Sequence, residues 1–432
     1  MLQLSIQEFG RIPRAQLSHS QQRGLQRFDE QQAARSGDSI FDWSRRDWIV
    51  AKSYVGVIQS PGLQIEILPK IDHVEVEDSH VQQSRQNLLF MLSVARLLPF
   101  HERDLAGQQI QQTPVLEALI RVFVQRLLQE LRRGQQHLYV HREENLPFVK
   151  GRILMSEHLV RNAAQKQLTF VAFDEFQNDT LLNRILKAAC HKLLAVTRIS
   201  GTQQYLRESL LELADVELCE IQPFHFDQIH LDRNSERFRD LLTFCRLLFL
   251  NSTPTPSSGA TECFSLLFPM EKLFEEFVGR LIHRHAESFG FLREDIHLQA
   301  RSRRRWLLRS ESGTGAFRLK PDVLINAESG EPALILDTKW KRLLSDDVHS
   351  RNGVSQSDIY QLFAYSQRYR CQENVLLYPR VPGATAKCFT LDGDHSGTRI
   401  RIEFLDLDYN LRANREQLVR DLKRAITGRA PN

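Results

Sequence analysis

The spacing of apolar positions changes several times along the chain, and each change marks an element. Tyr54 to Ile58 is a run rich in β-branched residues, Ser60-Pro61-Gly62 is turn chemistry, and Leu63 to Leu68 resumes as a strand ending at Pro69. This pattern predicts a hairpin within a β-rich start to the chain. The period then becomes helical. Thr113 is placed to cap a helix that begins at Pro114 and stops at Gly134. Leu116, Leu119, Ile120, Phe123 and Leu127 fall on its one apolar face, leaving Arg121, Gln125, Arg132 and Arg133 for solvent. Further helices are predicted over 179–196 and 235–250. Residues 251–262, NSTPTPSSGATE, cannot continue a helix and read as a linker, so the main domain boundary is expected there. Beyond it, Leu273, Phe274, Phe277, Val278 and Leu281 predict a helix over 270–285, and a basic β-like segment follows.

Composition narrows the class. A chain of 432 residues suits two or three domains, and 42% hydrophobic with 25% charged residues is the balance of a soluble globular protein. No apolar run approaches the ~20 residues of a membrane helix, and MLQLSIQEFGR lacks the basic start and apolar core of a secretion signal. No membrane partner and a cytoplasmic location are expected. The six cysteines form no CxxC pair and keep no zinc spacing, which predicts free, mostly buried thiols. No solenoid repeat is present, and the Gln-rich stretches near 21–35 and 108–112 read as solvated surface. A net charge of +4 names no partner, but RSRRRWLLR at 301–309 concentrates five arginines in nine positions.

The most informative stretch is LKPDVLINAESGEPALILDTKWK, residues 319–341. Val323 to Ile325 predicts a strand, 326–332 a turn, and Ala333 to Leu336 a second strand. In a symmetric hairpin Leu324 faces Ile335, and Asp322 falls opposite Asp337. Like charges directly opposed repel. A divalent cation supplies a reason for the arrangement, because Mg²⁺ is held by one or two carboxylates plus water and substrate phosphate. Lys339 returns to the same face by the period-2 rule, where its ammonium could orient an attacking water or stabilise charge on the phosphorane-like transition state. The bland alternative is a chance PD…D-x-K pattern in a chain of this length. Both acids, however, sit at the polar ends of paired apolar strands. Downstream, DIYQLFAYS (358–366) predicts a helix with Gln361 and Tyr365 one turn apart.

A Gln-x-x-x-Tyr helix after an Asp-x-Lys strand resembles the nuclease motif of RecB-like members of the PD-(D/E)XK superfamily. More specifically, the chain resembles the McrC family, the nuclease subunits of McrBC-type modification-dependent (5-methylcytosine) restriction systems. The likeness spans YVGVIQSPGLQIEILPKI (54–71), EENLPFVKGRI (143–153), FDEFQNDTLLNRILK (173–187), MEKLFEEFV (270–278) and the 319–341 hairpin. It implies an α+β adaptor region over 1–255, β-rich and then helical, and an α/β PD-(D/E)XK restriction-endonuclease-like domain over 256–432. It implies Asp322 and Asp337 as Mg²⁺ ligands and Lys339 as the catalytic lysine, with Gln361 and Tyr365 in support. Glu275 is the auxiliary acid by the same likeness, with Glu276 the alternative one position on. The implied partners are an McrB-like AAA+ GTPase hexamer, whose hydrolysis the N-terminal region stimulates, and double-stranded, modified DNA. The chain is longer than the shortest members, with added Gln-rich and 190–235 segments.

The chain carries no G-x-x-x-x-G-K-[ST] loop, and SGTGAFRLK at 312–320 has neither the spacing nor the following Ser/Thr, so no nucleotide is expected to bind here. Arg301, Arg303, Arg304 and Arg305 are candidates for DNA phosphate contacts, with Trp306 packing or stacking; the alternative is a solvated edge that discourages strand pairing. His137, His141 and Glu143 read as strand and turn residues ahead of a metal site. Asn178-Asp179 reads as an N-cap, and Asp346-Asp347 as a solvated loop. Two rival functions remain: a non-catalytic DNA-binding or GTPase-activating adaptor, and a stand-alone RecB-like repair nuclease.

Overall fold

The computed structural model describes residues 2–70, 78–105, 107, 113–250, 252–253, 263–327, 329–341, 354–392 and 397–428. Two compact units emerge: Met1–Val115 together with Thr253–Asn432, and Leu116–Ser252 between them. The expected division into 1–255 and 256–432 is therefore corrected. One boundary falls close to where the linker was read, but the first 115 residues belong with the C-terminal half.

Strand pairing explains this. The predicted hairpin forms as Tyr54–Ser60 and Leu63–Leu68, with Ser60 opposite Leu63 and Gly62 at φ +69 in the two-residue turn. Its outer neighbour on one side is Leu2–Gln7, parallel to Leu63–Leu68. On the other side it pairs antiparallel with Cys263–Pro269, Phe264 facing Gln59 and Pro269 facing Tyr54. A strand some two hundred residues away thus completes the N-terminal sheet (269 − 54 = 215 between paired residues). Gly56 makes this possible: at φ +129, a Cβ there would stand 1.9 Å from the Leu266 carbonyl oxygen. One face of the sheet buries Ile58, Leu63, Ile65 and Ile67 against Leu25 and Phe28 of the helix His19–Ser36. The Gln-rich stretch at 21–35 lies in that helix, so it is not merely solvated surface. On Leu63–Leu68, Glu66 is buried and satisfied by Arg85 Nε (2.7 Å) and the Val115 amide (2.8 Å).

The second sheet of this unit runs Ile296–Leu298, Val323–Asn326, Pro332–Thr338, Glu373–Pro379, Arg399–Leu405, Lys387–Thr390. Its first pairs are antiparallel; the central ones, from Pro332–Thr338 through Glu373–Pro379 to Arg399–Leu405, are parallel. Parallel neighbours need a crossover, and the helix Gln356–Tyr369 lies between Pro332–Thr338 and Glu373–Pro379 in the chain. Leu362, Tyr365 and Tyr369 of that helix join Leu324, Ile335 and Leu376 in one core. Val323, pointing the other way by the strand alternation, lies beside Gly279 of the helix Met270–Arg284. The two helices therefore cover opposite faces. As predicted, Leu273, Phe274, Phe277, Val278 and Leu281 are all buried.

The middle unit opens with the helix Val115–Arg132, whose predicted apolar face is buried. A three-stranded sheet follows, Leu138–Leu146 and Arg152–Ile153 both pairing with Thr169–Gln177. The helices Leu181–Val196, Ser200–Glu212 and Arg239–Leu250 complete it. The cap read at Asn178-Asp179 falls instead on the next residue: Thr180 accepts from the Asn183 amide, while Asp179 pairs with Arg184. Among the described residues Cys190, Cys219, Cys245, Cys371 and Cys388 are free thiols, and no helix is long and apolar enough to cross a membrane. The readings at 108–112, 254–262 and Asp346-Asp347 lie outside the described residues.

Candidate active site

The hairpin register is the one expected. Leu324 faces Ile335 and Val323 faces Leu336. One step beyond the ladder, Asp322 stands across from Asp337 at the mouth of an open cleft of about 240 Å³. Glu271, Glu275, Thr338, Lys339, Asp358 and Gln361 line the same cleft.

Asp322 is held from the opposite strand: its Oδ2 accepts from the Thr338 amide (2.6 Å) and Thr338 Oγ1 (2.7 Å). Burial pushes its carboxyl well above the usual carboxylate range, and Asp337 and Glu275 push it further, against the Thr338 hydrogen bonds. Asp337 is 1% exposed. Burial raises its pKa too, with Lys339 pulling back. Lys339 Nζ is 2.5 Å from Asp337 Oδ2, yet that oxygen has no aligned hydrogen-bond donor among the described residues. We read the contact as an ion pair that leaves lone pairs unmet. For the ammonium itself, burial works downward, but Asp337, Asp322 and Asp358 together outweigh it and the pKa is raised.

Lys339 is steered by the crossover helix. Its Nζ donates to Gln361 Oε1 (2.9 Å), Gln361 Nε2 donates to the Tyr365 hydroxyl (2.6 Å), and that hydroxyl donates to the Lys320 carbonyl (3.1 Å). Gln361 and Tyr365 thus reach the site through the lysine. From the other helix comes Glu275, whose pKa is raised by burial, against a hydrogen bond from Gln299 Nε2 (2.7 Å), and raised further by Glu276 and Asp337. Glu276 turns aside to Arg280 (3.0 Å), so Glu275 is the acid that joins Asp322 and Asp337.

The donor set suits a hard divalent cation: oxygen ligands, acids raised by burial and by one another, and an unmet carboxylate oxygen. Among the described residues no group of three or more His, Cys, Asp and Glu side chains is already drawn together to hold a metal by itself. Mg²⁺ does not require one, since water and phosphate commonly fill most of its shell.

A family model described as "McrBC 5-methylcytosine restriction system component" matches residues 49–379. The chain belongs to this McrBC family. It is 25% identical over 323 residues to the Type IV methyl-directed restriction enzyme EcoKMcrBC of Escherichia coli (strain K12), covering 71% of this chain and 89% of that protein. Its fold is similar to a chain of the refined half-complex from a tetradecameric assembly of Thermococcus gammatolerans McrB AAA+ hexamers with bound McrC. There the TM-score is 0.73 at 20% identity, over 98% of this chain and 99% of the other. A second likeness, to the Thermococcus gammatolerans McrBC complex, has a TM-score of 0.56 at 22% identity, over 66% of this chain and 88% of the other.

Several residues of this candidate site were not singled out in the sequence. Thr338 lies between two chosen positions and differs only in facing across the hairpin. Lys341 pairs with Asp358 (3.2 Å), a buried acid that also accepts from the Tyr378 hydroxyl (3.1 Å). Gln299 donates to Glu275 and accepts from Arg301 Nη2 (2.9 Å). Gln299 and Ala300 have φ of +52 and +42, a strained turn that no residue-type signal announces. Next to Lys339, Trp340 Nε1 donates to the buried Glu8 (2.8 Å), tying the two sheets of the unit together.

The arginines do not enter the cleft. Arg301, Arg303, Arg304 and Arg305 are all exposed, the last opening the strand Arg305–Arg309 of a separate two-stranded ribbon with Gly315–Leu319. Trp306 packs on Gly315, where a Cβ would come within 2.4 Å of the indole. His141 contacts Asp174 (2.9 Å) and His137 stacks on Phe176 (4.5 Å), both on the surface of the middle unit.

Proposed function

We propose that this chain is the McrC-like, DNA-cutting subunit of a GTP-driven restriction complex, with a PD-(D/E)XK centre at Asp322, Asp337 and Lys339. The observation that carries the reading is the meeting of the two opposed acids, Lys339 and Glu275 in one cleft. Asp322 and Asp337, with Glu275 beside them, would hold Mg²⁺. When bound, the ion polarises the scissile phosphodiester and helps generate hydroxide. Thr338 fixes the Asp322 carboxylate from backbone and side chain, which leaves its other oxygen to face the cleft. Lys339 Nζ, held between Asp337 and Gln361, orients the attacking water and offsets charge on the phosphoryl oxygens. The exposed arginines at 301–305 hold backbone phosphates on approach.

The similar Thermococcus gammatolerans half-complex holds McrB AAA+ hexamers with bound McrC. For this chain we propose an equivalent partner, a hexameric GTPase that recognises modified double-stranded DNA and whose hydrolysis this chain stimulates. The middle unit supports a protein partner. Tyr139 is 73%, Leu159 67% and Val160 79% exposed, more apolar surface than a solvated sheet and helix need.

The test compares cleavage of methylated plasmid by this chain alone, by the partner alone, and by both, with GTP and Mg²⁺. Only the mixture is expected to cut efficiently, and Leu159→Glu with Val160→Glu is expected to abolish assembly without changing Tm. Robust cutting of unmodified DNA by this chain alone would overturn the reading.

A further inference from the structure

The N-terminal unit also contains a small sheet, Arg11–Pro13, Trp48–Ala51 and Phe41–Asp42, that no part of the proposed site uses. Its inner face is ordinary core: Ile12, Phe41, Ile49 and Ala51 are each at most 1% exposed. Its outer face is not. Arg11, Val50 and Asp42 are aligned across the three strands, and Trp48, two residues before Val50, shares their side by the period-2 rule. With Phe9 and Arg45 they line an open cavity of about 390 Å³.

Two features set this face apart from a solvated sheet. First, both aromatics are substantially exposed, Phe9 at 52% and Trp48 at 41%, and among the described residues no ion pair or hydrogen bond holds the Arg11 or Arg45 guanidinium. Second, Phe9 sits at φ +60, a left-handed conformation that is strained for a bulky side chain and natural for glycine. The backbone is locked there by Phe9 N to Ala51 O (3.1 Å) and Gly10 N to Gln7 O (2.8 Å). Packing does not explain a phenylalanine at a position where glycine would be unstrained and where the ring is mostly in water.

Aromatic faces beside exposed guanidinium groups are the chemistry that takes an unpaired nucleotide, the base stacking on the ring and the phosphate meeting the cations. Duplex bases hide their faces, so the ligand must be a single-stranded or locally opened segment. We propose that this outer sheet face binds an unpaired nucleotide of the DNA, with the base on Phe9 and Trp48, the phosphate at Arg11 and Arg45, and a base N–H at the second oxygen of Asp42, whose Oδ1 accepts from the Ser44 amide (2.9 Å). The choice of DNA rests on the cutting role proposed above. Phe9 follows Glu8 directly, and Glu8 hydrogen-bonds Trp340 beside Lys339, which puts the face within roughly 20 Å of the cleft by chain dimensions.

The experiment titrates the full-length chain into a short labelled single-stranded oligodeoxyribonucleotide and into its duplex, by fluorescence anisotropy in EDTA. Phe9→Ala combined with Trp48→Ala should weaken single-strand binding about ten-fold or more, given the usual worth of base stacking, and duplex binding much less. Phe9→Gly should lose single-strand affinity with Tm unchanged or raised. Equal affinities for the wild type and the double variant, or no single-strand binding by the wild type, would overturn the proposal. So would a lowered Tm for Phe9→Gly, which would make the ring a structural element. If Asp337→Ala cleaves as the wild type does in the assembled complex, the nuclease reading falls, while a loss of single-strand binding in the Phe9/Trp48 variant still upholds the nucleotide face.

Discussion

Asp322 is a buried acid whose hydrogen bonds do not compensate for its burial and its acidic neighbours, since its pKa stands well above the ordinary range in spite of two donors from Thr338. Asparagine keeps an acceptor for both donors and removes the buried charge. Asp322→Asn should therefore melt no lower than the wild type in metal-free buffer, while cleavage by the assembled complex falls roughly 10²-fold or more. Loss of stability with cleavage intact would assign Asp322 a structural role. Glu8 offers a second test at this scale. Its carboxyl is 1% exposed and burial raises its pKa from 4.5 to about 7, against hydrogen bonds from the Lys70 amide, Trp340 and Ser53. Below pH 4.5 the group is neutral folded or unfolded. Between 4.5 and about 7 the unfolded chain ionises freely and the folded one does not, so its contribution to stability is lost as pH rises, by roughly 3 kcal/mol in all. Glu8→Gln removes that loss. The Tm of the variant relative to wild type should climb between pH 5 and pH 8, whereas parallel curves would show that Glu8 carries no such penalty.

Pairing between distant strands dominates the scale of elements. Gly56→Ala would drive a Cβ into the Leu266 carbonyl and force apart Tyr54–Ser60 and Cys263–Pro269. We expect a loss of roughly 3 kcal/mol or more, read as a large drop in denaturation midpoint; a midpoint within error of wild type would mean that the pairing is dispensable. The same elements show what the sequence discloses. Both hairpin strands, the apolar face of Met270–Arg284 and the Leu324–Ile335 register were legible because each rests on local periodicity and turn residues. Asp322, Asp337, Lys339, Gln361 and Tyr365 were legible for the same reason, since a strand and a helix turn fix which residues share a side. Glu275 and Glu276 were not separable, because neighbours on a helix differ by only part of a turn; Gln299 bonds both, and it is Arg280 that draws Glu276 aside. The helix His19–Ser36 went unread because a polar, Gln-rich segment buries only Leu25, Phe28 and Asp29.

For the molecule as a whole, the decisive feature is that the first 115 residues and the last part of the chain form one unit, with 116–252 inserted between them. Composition drew attention to 251–262 as a boundary, but no local signal announces that Cys263–Pro269 will complete a sheet begun before residue 70. It follows that residues 256–432 expressed alone should not fold. They lack the partner strands of Cys263–Pro269 and the Glu8 acceptor of Trp340. A cooperative thermal transition for that fragment would contradict the unit assignment. The arrangement also gives the N-terminal sheet a stake in the candidate site, since Trp340, held by Glu8, follows Lys339 directly. The measurement that bears most directly on the account is cleavage of 5-methylcytosine-containing plasmid by this chain together with the GTPase partner proposed for it, in GTP and Mg²⁺, wild type against Asp337→Ala. The account predicts that the wild type cuts and that the variant does not, with GTP hydrolysis stimulated equally by both. Undiminished cutting by Asp337→Ala would contradict it.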